Sequence, residues 1–382
     1  MPDETTGYPR IFLALDNCFA SKRWTTPDEW MAIAVDMGVY AIEASADNEC
    51  DPLYSPPDAL RDWIAGVQAA SARSGVRVVN FYSGHGTYTT LGLGHPDARV
   101  RDHIQHNWLE PMIRSAAALE AGLGFFCHAF PQAALYDPAK YAQAENDLFD
   151  RLAALAALAG QVGLRGLSVE QMYSPHQPPW TINGARRFLA EVTRRAGAPL
   201  HITLDTGHHT GQRLYLRPDA GQIAAYVEAV RRGEVLPDAW MGGAVGGSAD
   251  EVAAYIAARP HLFAEAGDGD LYGWLRAVGR YSPIIHLQQT DGSGSKHQPF
   301  TPAFNAGGQV RPEWVLAALK ESFEAAPDAP GSPPPCRDIY LTLELFSGTA
   351  ERPAQILSNI RQSVIYWRQF IPEDGLPLDQ LA

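Results

Sequence analysis

Three carboxylates and one histidine stand where strands should end: Glu170, Asp205, His286 and Glu344. The stretch from Leu200 to His209, Leu-His-Ile-Thr-Leu-Asp-Thr-Gly-His-His, carries the pattern most fully. Side chains alternate across a strand, so His201, Thr203 and Asp205 share one face while Ile202 and Leu204 take the other. Leu167 to Glu170, Pro283 to Gln289 and Ile339 to Phe346 repeat the alternation, each with a carboxylate or imidazole beside its turn. On parallel neighbouring strands the four residues would converge at one mouth, where three carboxylates can hardly stay ionised together without a cation. The mixed oxygen and nitrogen donors suit one divalent metal ion per chain, Mn²⁺ foremost, with Mg²⁺, Co²⁺ or Zn²⁺ tolerated. Such an ion polarises oxygens, and a neighbouring carboxylate can move a proton.

Those side chains need a scaffold that aligns strand ends. Strands are expected at Ile11 to Leu15, Val39 to Glu43, Val76 to Tyr82 and Gly124 to Phe130, and then at the four stretches above. Helical periodicity follows each of them: Thr26-Pro27-Asp28-Glu29 opens a helix with a capping box, and a long helix is expected from Pro96 to Ala121. A second capping box, Ser248-Ala249-Asp250-Glu251, lies between strands six and seven. Eight strand–helix units demand parallel strands and crossovers of one hand, which suggests a closed (β/α)8 TIM barrel of the α/β class. An open doubly wound sheet usually shows a Gly-rich phosphate loop after its first strand, and Asp16-Asn17-Cys18-Phe19 is none. The expectation is a single domain over residues 1–382, with an elaborated connection at about 233–280 and a C-terminal helix at about 353–370. That connection could serve as a lid or an oligomer contact.

Composition narrows the partners. With 46% hydrophobic residues and a net charge of -13, the chain reads as globular and lacks the clustered Lys and Arg of a nucleic-acid binder. Cys18, Cys50, Cys127 and Cys336 have no C-x-x-C spacing, so neither a zinc ribbon nor a redox pair is indicated. The polar start has no signal-like apolar region, and no stretch of about 18 apolar residues could span a membrane. A cytoplasmic location is the expectation.

A Glu ending strand five, Asp205-Thr206-Gly207-His208 after strand six, His286 in strand seven and Glu344 in strand eight together resemble the xylose-isomerase-like barrels, in particular their ketose 3-epimerase and sugar isomerase branch. The resemblance implies a carbohydrate substrate and an isomerase or epimerase acting through a metal-stabilised enediolate. It makes Glu170, Asp205, His286 and Glu344 metal ligands, Glu170 and Glu344 the acid/base pair, and His208 a contact to a substrate oxygen. An Arg expected a few residues after His286 is missing, and Lys296 or His297 would stand in for it. Glu43 and His128, at the ends of strands two and four, are further candidates for the pocket, as are Phe19, Tyr82, Trp180 and Phe346 for its walls. Two readings compete: a metal-dependent decarboxylase or lyase of a 3-oxo sugar acid on the same site, and a non-catalytic sugar-binding barrel. An abasic-site endonuclease would need more ligands and a basic face. Homo-oligomers are expected by analogy.

Overall fold

In the computed structural model of the chain, the described residues are 7–83, 88, 90–234, 247–326 and 331–381. Eight parallel strands close into a ring: β1 (Arg10–Asp16), β2 (Ala41–Ser45), β3 (Arg77–Tyr82), β4 (Gly122–Phe125), β5 (Leu167–Glu170), β6 (His201–Asp205), β7 (Ile284–Leu287) and β8 (Asp338–Leu343). Consecutive strands are neighbours throughout, and β1 closes the barrel between β8 and β2. The predicted TIM barrel is thus observed. Its seam is uneven: β1 follows β8 in register from Arg10–Asp338 to Leu15–Leu343, but meets β2 only at Leu15–Ile42 and Asp16–Glu43. A short strand, β9 (Leu376–Pro377), runs antiparallel along Arg10 and Ile11 at the edge that β2 leaves open.

Alternation sorts the barrel into two environments. Outward-facing Ile11, Leu13 and Leu15, Ile202 and Leu204, Ile285 and Leu287, and Ile339, Leu341 and Leu343 join the surrounding helices in one continuous core. Each such side chain contributes about 1.5–3 kcal/mol when fully buried. The inward face begins with a small apolar layer of Ala14, Ala41, Val79, Ile284 and Tyr340, against which Phe12 stacks. Above it the lining turns polar, with Glu43, Asn80, Ser168, Thr203, His286 and Thr342 all buried. Burying such groups is costly unless they pair, so the outer core supports an interior built for something other than stability.

Two departures from the expected elements have local causes. The fourth strand falls on Gly122–Phe125, not Gly124 to Phe130, and His128 lies beyond it, in an isolated bridge to Gly92. The barrel is crowded here: a Cβ on Gly122 would lie 2.5 Å from Asn80 Oδ1, and one on Gly124 would lie 3.0 Å from Thr203 Oγ1. Glycine is needed for space, and glycines carry no periodicity signal. The helix expected from Pro96 to Ala121 runs as Ala98–Ile104, a π-helical turn at Gln105–Leu109, then Glu110–Ala118. Pro111 lacks an N–H and its ring crowds the preceding turn, which accounts for the widening before it.

The capping boxes form as read, with Glu29 accepting from Thr26 N at 3.0 Å and Glu251 accepting from Ser248 N at 3.2 Å. Between β6 and β7 lie the helices Ala220–Arg231, Ala249–Ala257 and Leu271–Val278 with shorter turns, while 235–246 falls outside the described residues. The last helix is Pro353–Arg368. Among the described residues no helix is long and apolar enough to cross a membrane.

Candidate metal centre and substrate pocket

The C-terminal ends of barrel strands form the face where such folds place chemistry. There Glu170, Asp205, His286 and Glu344 come together, all buried, with one donor atom from each within 4.8 Å of every other. Nδ1 of His286 lies 3.0 Å from Glu170 Oε1 and 3.4 Å from Glu344 Oε2. Glu344 Oε2 is buried without a hydrogen bond, an orphaned acceptor in a ring of acceptors. Three carboxylates and an imidazole with a free lone pair are the donor set a divalent cation takes, so these residues fit one.

Each donor is held from behind. Asp205 accepts from the amides of Gly207 and His208 at 2.6 and 3.0 Å, and Gln288 Nε2 spans both its oxygens at 2.9 Å. The Tyr82 hydroxyl donates to Glu170 Oε2. Behind His286, Nε2 meets Glu43 Oε2 at 2.8 Å, and Asn80 Nδ2 donates to the other Glu43 oxygen at 2.6 Å. A register shift makes that last bond possible. The pairing steps from Ile42–Val78 to Glu43–Asn80, leaving Val79 unmatched, so Val79 and Asn80 both turn inward.

The electrostatics follow from this crowding. Burial lowers the proton affinity of His286, but Glu344 and Glu43 overcome it and hold the imidazole well above its ordinary range. For Glu344 burial acts upward, and His286 and His297 outweigh it, holding the carboxylate below its usual range. Asp16 is pushed well up by burial and by Glu43 and Glu344. The Tyr82 phenol is also pushed well up, by burial and by Glu170, so it acts as a donor only.

A cavity of about 190 Å³ opens above this floor, lined by Asp16, Ser45, Asp47, Tyr82, Ser83, Tyr88, Glu170, Tyr173, His208, Ser295, His297, Glu344 and Phe346. Of the four donors only Glu170 and Glu344 reach it; Asp205 and His286 lie beneath. His208 Nδ1 donates to the Gln171 carbonyl at 2.7 Å, which leaves Nε2 as an acceptor, and Tyr173 packs edge-on against the ring. His297 lies 3.3 Å from Glu344 and stacks on Phe346, with ring centroids 3.8 Å apart.

Five expected pocket residues fall elsewhere. Glu43 does not line the cavity; it backs His286 from below, because its side chain points into the barrel a layer deeper than the strand ends. His128 is fully buried beside Phe126 and Phe188, bonds to the Pro178 carbonyl, and has its pKa lowered to about 4 by burial. Lys296 turns to Asp291 at 3.3 Å, and Phe19 and Trp180 are core residues. Asp16, Ser45, Asp47, Ser83, Tyr88, Tyr173 and Ser295 enter the pocket without having been singled out. Asp16 had a signal: it ends β1 on the same inward face as the four donors.

The sequence profile of the xylose isomerase-like TIM barrel family matches residues 31–322, and the chain belongs to that family. Among curated proteins, D-erythrulose 1-phosphate 3-epimerase of Brucella abortus is 34% identical over 109 residues. That match spans 28% of this chain and 31% of the relative, so the chain covers under a third of that protein's length. Among solved structures, a putative xylose isomerase from Rhodospirillum rubrum superposes with a TM-score of 0.70 at 20% identity, covering 94% of this chain and 99% of its own. D-psicose 3-epimerase from Clostridium cellulolyticum gives 0.56 at 10% identity, covering 94% and 98%. Likenesses at these identities concern the fold.

Proposed function

We propose that this chain is a divalent-metal-dependent sugar isomerase or epimerase that works by moving a proton at a carbon of a ketose. The observation that carries the reading is the division among the four donors: two lie wholly beneath the cavity and two glutamates reach into it. Glu170, Asp205, His286 and Glu344 would hold the ion, with Mn²⁺ best suited to three carboxylates and one imidazole. When bound, the ion would supply Lewis-acid stabilisation of an enediolate.

The chain's own residues supply the rest. Of the four donors, Glu170 and Glu344 are the carboxylates that reach the cavity and would take and return a proton, contributing on the order of 10²–10⁴-fold each. His208, with its fixed tautomer, offers Nε2 to a substrate hydroxyl. Tyr88, Tyr173 and Phe346 wall the cavity and limit water. The family membership and the named epimerase relative support the same reading. A single domain with an elaborated β6–β7 connection, a cytoplasmic location and self-association belong to this proposal too.

The test begins with elemental analysis of protein purified without added metal, beside Glu344→Gln treated identically. About one divalent ion per chain, lost in the variant, supports the centre. Loaded protein is then incubated with ketoses in heavy water and proton exchange is followed by NMR. No metal in either protein and no uptake of Mn²⁺, Co²⁺, Mg²⁺ or Zn²⁺ would sink the reading, and a product one carbon shorter would replace it with decarboxylation.

A further inference from the structure

The inward side chains of β2 climb through the barrel one layer at a time. Ala41 belongs to the apolar floor, Glu43 backs His286, and Ser45, the last residue of the strand, lines the cavity above them. Residues two apart share a face, and the pairs Glu43–Asn80 and Ser45–Tyr82 carry the upper two layers across to β3. In a ring of eight strands β2 stands four places from β6, so Ser45 occupies the wall opposite the strand of Asp205. The four donors lie on or just after β5 to β8, and Ser45 is therefore across the cavity from the centre they form.

Main-chain bonds fix where Ser45 stands. Its N–H donates to Asn17 Oδ1 at 2.7 Å, and its carbonyl accepts from Asn48 N at 3.0 Å and from the Cys50 thiol at 3.3 Å. The hydroxyl is left over: the residue is 3% exposed, and Oγ bonds to none of the described residues. The other serines of the wall are spent. Ser83 Oγ accepts from Phe126 N at 2.9 Å and donates to the Phe126 carbonyl at 3.3 Å. Ser295 Oγ accepts from Gln288 Nε2 at 2.8 Å and donates to Gln288 Oε1 at 3.2 Å. A buried hydroxyl without a partner is costly, so Ser45 calls for one that the cavity supplies. It can donate and accept at once, as a sugar hydroxyl does.

We infer that Ser45 is a specificity-determining residue that hydrogen-bonds one hydroxyl of the sugar, on the part of the molecule remote from the reacting carbons. The inference rests on the isomerase reading and deepens it: the substrate is a ketose long enough to carry a hydroxyl from the metal centre to the end of β2. A rigidly held hydroxyl of this kind rejects an analogue that lacks its partner, because the buried group is then left unpaired.

The experiment uses the full chain and Ser45→Ala, both loaded with Mn²⁺, with the ketohexose that binds most tightly and its monodeoxy analogues lacking the hydroxyl at the fourth, fifth or sixth carbon. Proton exchange in heavy water reports turnover, and saturation-transfer NMR reports binding. One analogue is expected to lose about tenfold in kcat/KM with the unaltered chain. Ser45→Ala is expected to lose a similar factor with the parent sugar, mostly through KM, to show no further loss with that analogue, and to keep Mn²⁺ affinity within about twofold. Equal losses for the analogue in both proteins overturn the inference, as does an unaltered chain indifferent to all the analogues. Loss of Mn²⁺ in Ser45→Ala overturns it too, by assigning Ser45 to the packing of the centre. Binding that depends on one hydroxyl and on Ser45, without turnover of any sugar, leaves the inference standing and overturns the isomerase reading instead. A loaded chain that binds no ketose overturns both.

Discussion

Glu43 Oε2 lies 2.8 Å from His286 Nε2, on the side of the imidazole facing away from Glu170 and Glu344. A carboxylate only accepts, so Nε2 carries the hydrogen and Nδ1 presents its lone pair to the metal centre when the ring is neutral. Carboxylate partners of this kind fix the tautomer of a ligating histidine. Glu43→Gln, whose amide can donate to Nε2 and favour the opposite tautomer, is expected to weaken Mn²⁺ binding by about 10–100-fold. Chelator competition measures this, and unchanged affinity would remove Glu43 from the centre.

Metal and proton compete for His286. Without metal its pKa is raised above the ordinary value near 6.5, so its stabilisation is complete below about pH 6.5 and is lost as pH rises through the folded-state value. Metal binding requires the unprotonated nitrogen and therefore strengthens with pH. Melting temperatures with chelator and with Mn²⁺ should diverge from about pH 5.5 to about pH 8.5, the loaded protein melting higher. A constant gap across that range contradicts proton competition.

His208 is expected to serve substrate rather than metal, because Nδ1 is bound to Gln171 O and the residue lines the cavity. His208→Ala should keep Mn²⁺ affinity within about twofold and lower kcat/KM on the order of 100-fold. Steady-state kinetics beside a metal titration separates the two. A variant that loses metal instead makes His208 a ligand.

The glycines of β4 reach the site through packing. Gly122→Ala would place a Cβ 2.5 Å from Asn80 Oδ1, the side chain that holds Glu43. The expected cost is about 1–3 kcal/mol in urea unfolding, with weaker Mn²⁺ binding although the residue touches no ligand. Loss of stability at full metal affinity would show that Asn80 does not transmit the strain.

The strand–helix alternation and the four donors are legible in the sequence because strand period and strand ending are local signals, visible in Leu200 to His209 without knowledge of any neighbour. Depth is not local. Glu43 and Asp16 both alternate inward and pair directly across β1 and β2, yet one lies under an imidazole and the other reaches the cavity, and only the residues that each side chain meets from other strands decide which. Asn80 depends on a one-residue shift between two strands, and His128 on a strand that glycines pull earlier along the chain. These are pairing facts, settled between segments and absent from either alone. Lys296 is, with His297, one of two stand-ins for the missing Arg, and its partner Asp291 five positions earlier is a loop contact that no periodicity predicts.

The uneven seam has a consequence for making the protein. β1 emerges from the ribosome first, yet the long edge of its pairing belongs to β8, near the other end of the chain. At ~5–20 residues per second that partner follows roughly 20–60 s later. Until then one side of β1 offers unpaired N–H and C=O groups, the template on which foreign strands add. Nascent chains and fragments ending before Asp338 should therefore occupy chaperones and aggregate, and slowed translation of the last quarter should lower soluble yield more than slowing elsewhere.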